Sequence, residues 1–207
     1  REDKMMHASK FTVDPVWRII IKDLGLTEDE VLKRAQLQLD LFSQPKAELT
    51  AQEYFRLWEG FEASLKSPCF PLEIVKGISA EAFSPPIFAS LCSPDLNTAM
   101  KRLSRFKQLI GPMSLTVDIG KQETSLTMDC LYTDLPLPES LAVMELVFLT
   151  NLVRLGTREF IVPVYVSSKT AFSETQKYAE YLGRVPVQGD SYQIKFLAKD
   201  AARPFIT

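Results

Sequence analysis

The residues that could support catalysis are few and poorly placed for it. His7 is the sole histidine of the chain, and it lies in a polar N-terminal segment. A serine triad, a histidine metal site and an axial haem ligand each need a positioned imidazole, so His7 argues against all three. Ser167-Ser168-Lys169 has the residue types of a serine–lysine pair, but a polar loop after a strand is the simpler interpretation. The sequence predicts no catalytic residue, no metal ligand and no cofactor.

The carboxylates and thiols of the chain favour structural roles. Asp118, Asp129 and Asp134 alternate outward from apolar neighbours in a predicted hairpin, which is typical of solvated side chains. The cysteines have no paired spacing, which indicates reduced thiols in a cytoplasmic protein. Apolar neighbours favour core packing for two of the three, Cys92 and Cys130, the third being Cys69.

One basic side chain lies where a binding site would need it. On a helical wheel, Lys107 falls near the middle of an apolar face formed by Leu96, Met100, Leu103 and Phe106. In the favoured interpretation its stem packs and its ammonium reaches the carbonyl groups at the helix C-terminus. In the alternative it supplies a positive charge to a pocket between helix and sheet. We predict the ammonium at one of these two places.

Three aromatic residues raise a similar question. Tyr54, Trp58 and Phe61 recur at helical spacing in the first half of the chain. Such residues are usually core, and the alternative is one wall of a ligand pocket. Together with Lys107 they are the candidate ligand-binding residues.

Composition limits the class of protein. The chain has 207 residues, 46% hydrophobic and 24% charged, with a formal net charge of −2. This is enough apolar material for a core, and the charge offers no basic surface for nucleic acid. No apolar run reaches the roughly 18 residues of a membrane span, and the N-terminus lacks a signal-like region. We expect a cytoplasmic protein with no membrane partner.

The elements that must position these residues centre on residues 93–132. Ser93 suits the cap of a helix that ends at Gly111-Pro112. Residues 113–132 then alternate apolar and polar side chains on either side of Gly120, which predicts a hairpin. A helix that leads into a hairpin predicts an α+β fold, with the helix covering one face of the sheet.

The remaining segments complete a helical first half and a sheet-forming second half. We expect residues 1–13 to form a loose arm, 14–112 a mainly helical part and 113–207 the sheet part of one domain. The segment EFIVPVYV, residues 159–166, is predicted as a strand buried on both faces. The fold class is therefore α+β, a helical N-terminal half packed on an antiparallel or mixed sheet of order β-β-α-β-α-β-β.

A long apolar helix is predicted from Glu139 to Leu155. Its apolar residues occupy almost every side, more than one sheet face covers. The helix is therefore either enclosed within the protomer or packed on a partner subunit across a twofold axis. We favour the partner, in a homodimer, and place the contact at Val143, Val147 and Asn151.

Several stretches resemble a known family. LCSPDLNTAMKRLSRFKQLIGPMSLTV, residues 91–117, is similar to a segment of the N-terminal sensor domains of AraC-type transcription regulators, in the arabinose-binding-like branch that includes ornithine-type regulators. The tail, with YAEYLGRVPV at residues 178–187 and Pro204-Phe205, resembles the family's ending. The Trp17-Arg18 helix with Gly25-Leu26 fits its start. The resemblance spans residues 16–205.

The resemblance implies a sensing and dimerising domain that binds an unknown small-molecule effector. In such regulators a helix-turn-helix module follows the sensor. We expect residues 1–207 to be a single effector-sensing domain without that DNA-binding module, so that DNA is reached only through a missing C-terminal part. Because the family's ligands vary, the resemblance assigns no ligand-binding residue.

Two other classes of function stay open. One is an enzyme of small-molecule metabolism, which lacks support because no acid–base pair or nucleophile–base arrangement is recognisable. The other is a non-sensing interaction scaffold with a closed pocket. A reading frame that continues into a helix-turn-helix would favour the regulator, and a ligand-induced thermal shift would separate a sensor from a scaffold.

Overall fold

The computed structural model describes residues 10–78 and 85–206. His7, with the rest of residues 1–9, lies outside the described residues, as do 79–84 and Thr207. Helices and strands follow in the order β1 Lys10–Thr12, α1 Val16–Asp23, α2 Glu28–Ala35, β2 Glu48–Thr50, α3 Ala51–Leu65, α4 Phe70–Gly77, α5 Pro85–Leu91, α6 Leu96–Ile110, β3 Met113–Ile119, β4 Glu123–Cys130, α7 Glu139–Thr157, β5 Tyr165–Ser168, α8 Thr175–Leu182, β6 Val187–Gln188, β7 Tyr192–Leu197 and α9 Ala198–Ala201, with a 3-10 turn at Leu41–Ser43.

The main sheet has five strands in the order β3-β4-β7-β5-β6. Neighbouring strands are antiparallel except β5 and β6, which are parallel. Its registers place Leu126 opposite Ile194 and Leu115 opposite Met128, so that apolar side chains share one face. This mixed sheet, preceded by a helical first half, confirms the predicted α+β class and the order of elements.

Side-chain caps begin three of the helices. Thr50 forms both bonds of a capping box with Glu53, as its Thr-x-x-Glu sequence predicts. The Thr27 hydroxyl accepts from the Glu30 amide at the start of α2. The helix α6 begins two residues later than predicted: Asp95 is its cap and accepts from the Thr98 amide at 2.8 Å. Ser93 instead accepts a hydrogen bond from Arg102.

Two short strands correct the predicted boundaries. Residues 10–12 of the expected loose arm pair with residues 48–50 in a separate two-stranded sheet. A strand of three residues is too short for its alternation to be recognised in the sequence. The strand predicted over 159–166 is confined to β5, because Pro163 has no amide hydrogen for a sheet ladder and the chain before it is irregular. Ser167 and Ser168 are accordingly buried strand residues rather than a polar loop.

The helix α7 is the centre of the core. It packs against α4 and α5 on one side and against β4, β5 and β7 on the other, so both of its faces are covered within the chain. Among the described residues α7 is the one helix whose length and composition would suit a membrane span, and 72% of its apolar 18-residue stretch is buried inside the fold. That degree of burial is typical of a core helix.

The burial of α7 removes the reason for placing a subunit contact on it. Val143 and Val147 are 4% and 1% exposed in the single chain, so neither has surface to offer a partner. Asn151 is only partly exposed. Of the two alternatives for this helix, enclosure within the protomer is the one observed, and a dimer contact has to be sought on another surface.

Candidate functional site

A cavity of about 140 Å³ lies between helices of the first half of the chain and the core helix α7. The contributing helices are α1, α3, α4, α5, α6 and α7, and β1 and β3 add Thr12 and Met113. Its walls are mainly aromatic and aliphatic, and they include Trp17, Ile20, Trp58, Phe61, Met144 and Phe148. The polar groups on the walls come from Thr12, Asp14, Tyr54, Lys107 and Glu145. An apolar enclosure with a few polar groups is the usual form of a small-molecule site.

The structure brings the four candidate residues together. Lys107, Tyr54, Trp58 and Phe61 all lie on the walls of this cavity. The aromatic three share one face of α3, and Lys107 comes from the last turn of α6. Their common position depends on the tertiary arrangement of α3 and α6, which spacing along the sequence does not encode.

An ion pair is the main charged feature of the cavity wall. Lys107 and Glu145 are 4% and 6% exposed, and the Lys107 Nζ lies 2.5 Å from the Glu145 Oε2. Isolated charges are costly to bury, so each side chain depends on the other. The ammonium therefore faces an internal polar partner beside the cavity, the second of its two predicted positions, and not the carbonyl groups of the helix C-terminus.

The aromatic wall is built around Trp17. Its ring makes edge contacts with Tyr54, Trp58 and Phe61, with centroids 6.3, 6.0 and 5.7 Å away. Edge-to-face contacts of this kind hold the rings at fixed angles. The aromatic part of the cavity wall is therefore already formed without a ligand.

Tyr54 carries the polar end of the aromatic wall. Burial raises the pKa of its phenol, and the nearby carboxylates of Glu145 and Asp14 raise it further. The hydroxyl is protonated at neutral pH, as in any tyrosine, and can donate a hydrogen bond. The backbone of Gly111 passes close to it, since a Cβ on that glycine would lie 3.3 Å from the Tyr54 hydroxyl. A larger residue at Gly111 would push on the ring from the side of α6.

A hydrogen-bonded chain fixes the neighbouring tryptophan. The Trp58 Nε1 donates to the Ser140 Oγ at 2.8 Å, and Ser140 donates in turn to the Glu62 Oε2 at 2.5 Å. Trp58 thus presents its ring to the cavity while its polar edge is bonded to the first turn of α7. The orientation of this wall is set by α3 and α7 together.

The other residues considered for chemistry lie away from the cavity. The Ser167 hydroxyl donates to the Ser191 carbonyl group, and the Lys169 ammonium lies over the Tyr192 ring. The three aspartates, Asp118, Asp129 and Asp134, are exposed as predicted. The three cysteines are free thiols: Cys69 is buried, Cys130 partly buried and Cys92 exposed, which corrects the core position predicted for Cys92.

Most of the cavity residues were not predicted as site residues, and among them are Glu145, Trp17 and Asp14. Glu145 had a visible signal, because it is a charged residue in the middle of an otherwise apolar helix. Trp17 had a weaker one, since it widens the apolar face of α1. Asp14 looks like any helix-start residue, and its carboxylate does accept from the Val16 amide at 2.9 Å.

This arrangement is suited to binding a small molecule. The ammonium of Lys107 is held by the carboxylate of Glu145, and most of the wall is aromatic or aliphatic.

Sequence comparison then identifies the family of the domain. The profile described as the arabinose-binding domain of AraC transcription regulators, N-terminal, matches residues 25–205. The chain belongs to this family. The matched region includes Lys107, Glu145 and the aromatic face of α3, while Trp17 and Asp14 precede it. A search of curated proteins finds no significant match.

The fold of this AraC-type domain is similar to that of a solved regulator. The crystal structure of the transcriptional regulator CdpR from Pseudomonas aeruginosa matches with a TM-score of 0.61 and 14% sequence identity. The match covers 93% of this chain and 58% of that one, so this chain spans little more than half of the regulator. At this identity the similarity shows a common fold. The domain is thus a regulatory one of the AraC type, in agreement with the resemblance seen in the sequence.

Proposed function

We propose that this AraC-type domain senses a small-molecule effector in the cavity beside Lys107 and Glu145 and controls an attached helix-turn-helix DNA-binding module. The observation that carries the proposal is the buried Lys107–Glu145 pair on the wall of an apolar cavity. Burying a charge pair is often no better for stability than well-packed apolar residues would be. A pair retained at a cavity wall therefore supports a role in binding.

Family membership supports the regulatory half of the proposal. The domain matches the N-terminal family of AraC regulators, and it covers only part of a regulator with the same fold. A net charge of −2 gives these 207 residues little attraction for DNA phosphates. In the proposal, a separate module therefore contacts the DNA. The whole protein is cytoplasmic and works as a homodimer, and its subunits contact each other outside α7.

The proposal is tested by asking whether the protein retains a compound from its own cells. The protein is incubated with a small-molecule extract of the source cells, washed and denatured, and the released compounds are identified by mass spectrometry. Ile20→Trp should fill the cavity, since Ile20 lies on its wall. The control is Ile19→Trp, because Ile19 is its neighbour on α1 and is 48% exposed.

We expect one compound on the wild type and on Ile19→Trp, and its loss on Ile20→Trp. Equal retention by all three proteins would place the compound elsewhere and contradict the proposal, as would the absence of any compound. Circular dichroism of both variants shows whether Ile20→Trp is folded. Sequencing the gene beyond residue 207 tests the second part of the proposal, the attached DNA-binding module. The expected result is a sequence that encodes a helix-turn-helix.

A further inference from the structure

The wall of the cavity carries hydrogen-bond donors that are available to a ligand. An ammonium group carries three donors, and among the described residues Glu145 alone accepts from Lys107. The Tyr54 hydroxyl is a second donor on the wall of the cavity. A ligand oxygen near both groups would therefore find donors already in place.

The charges around the cavity disfavour an ionised ligand of either sign. An anion would compete with Glu145 for Lys107, and the Asp14 carboxylate would repel it. A cation would face the Lys107 ammonium, while the carboxylates are either paired, as in Glu145, or partly exposed to water, as in Asp14. In both cases the ion would lose its hydration without a full charge partner in return.

The size of the cavity limits the ligand further. Its volume is about 140 Å³. An apolar cavity of about 150 Å³ in another protein holds one benzene molecule. The space therefore fits a molecule of about one ring, with room for a small polar group next to Tyr54.

We propose that the effector is a neutral, mainly apolar molecule of about one ring that carries a hydrogen-bond acceptor. Its apolar body lies against Trp17, Trp58 and Phe61, and its acceptor oxygen lies between the Tyr54 hydroxyl and the Lys107 ammonium. This inference rests on the proposed function, because it names the class of ligand for that same cavity. The Lys107–Glu145 pair stays intact when the ligand is bound.

Three probes of nearly equal size and different charge test the inference. They are benzyl alcohol, benzoate and benzylammonium, each titrated into the wild-type protein at pH 7 in an isothermal calorimeter. Benzyl alcohol should bind about tenfold or more tightly than either ion, because it alone enters without losing the hydration of a charge.

A pair of tyrosine variants assigns the site. Tyr54→Phe keeps the ring and removes the donor, so it should weaken benzyl alcohol binding by about fivefold. Tyr165→Phe is the matched control, since Tyr165 lies in β5 away from the cavity, and it should bind as the wild type does. The Lys107–Glu145 pair is left unchanged, so that the folded state is preserved in both variants.

The possible failures are distinguishable. Tighter binding of benzoate or benzylammonium, or equal binding of all three probes, would overturn the neutral class and leave ligand sensing in the cavity standing. An equal loss in Tyr54→Phe and Tyr165→Phe would overturn the role of the Tyr54 donor. If none of the three probes binds, the ligand class fails. The proposed function would still stand if the wild type retains a compound from its own cells that Ile20→Trp loses, and it would fall separately if that compound is not found.

Discussion

Glu145 is the residue on which the site most depends, because its carboxylate holds the buried ammonium of Lys107 at 2.5 Å. Glu145→Ala leaves that ammonium buried without its partner. We expect the free energy of unfolding to fall by about 3–5 kcal/mol, as measured by urea denaturation. The control is Glu30→Gln, which breaks an exposed pair with Arg34 and should cost less than about 1 kcal/mol.

A double variant separates lost pairing from lost packing. Lys107→Met with Glu145→Met removes both charges and keeps most of the volume. Its stability should return to within about 2 kcal/mol of the wild type, because buried pairs are often replaceable by apolar side chains. A double variant no more stable than Glu145→Ala would show that packing, and not an unpaired charge, explains the loss.

Because the phenol of Tyr54 is buried, we predict that the folded protein loses stability at alkaline pH. Burial, with the charges of Glu145 and Asp14, raises the pKa of its phenol, so the folded protein keeps a proton that the unfolded chain loses. The free energy of unfolding should therefore fall as the pH rises above about 10, the pKa of an unperturbed tyrosine. This contribution is fully present below pH 10.

Tyr54→Phe tests that dependence directly. Without the hydroxyl, the fall in the free energy of unfolding above pH 10 should be smaller by about 1.4 kcal/mol per pH unit. Urea denaturation at a series of pH values above 10 measures this difference. Tyr178 is a second tyrosine whose pKa burial raises, so part of the fall should remain in the variant. The same pH dependence in wild type and Tyr54→Phe would contradict the buried position of the hydroxyl.

At the scale of elements, a substitution in α7 shows whether this helix belongs to the core of the protomer or forms a subunit contact. Val147 is 1% exposed on this helix, so Val147→Asp places a carboxylate in the core. We expect the variant to unfold, with a loss of more than about 4 kcal/mol, and not to form a folded monomer. Circular dichroism and size-exclusion chromatography measure both outcomes.

The same helix supplies its own control. Leu155 lies in the last turns of α7 and is 44% exposed. Leu155→Asp should leave the domain folded, with a change of about 0.5 kcal/mol, as is usual for surface substitutions. A folded, monomeric Val147→Asp protein would return the dimer contact to α7.

Helix spacing predicted the position of Lys107 on an apolar face but not its partner. Glu145 is 38 residues further along the chain, on α7, so the pair forms only in the folded structure. Sequence patterns predicted correctly the elements that are stabilised by contacts between residues close in the chain, such as the Thr50 capping box and the hairpin of β3 and β4. They failed for β1, whose pairing with β2 depends on a contact between segments nearly 40 residues apart.

At the scale of the whole molecule, function depends on how the helical half meets the sheet. The helix α7 contacts three strands of the main sheet and also carries Glu145 to the cavity. A change in the cavity therefore acts on an element that reaches the sheet. The apolar character of α7 was visible in the sequence, but the elements that cover it were not. Because α4 and α5 pack on this helix, Val143 and Val147 are buried within the protomer and do not suit a dimer contact.

The two tryptophans give the most direct measurement of the central claim. The chain has two, Trp17 and Trp58, and both line the cavity. The protein, labelled with ¹⁵N, is titrated with the small-molecule extract of the source cells while its indole N–H resonances are followed by NMR. The account predicts that both indole resonances move and saturate. Backbone resonances that move while both indole resonances stay in place would show binding outside this cavity, and would contradict the account.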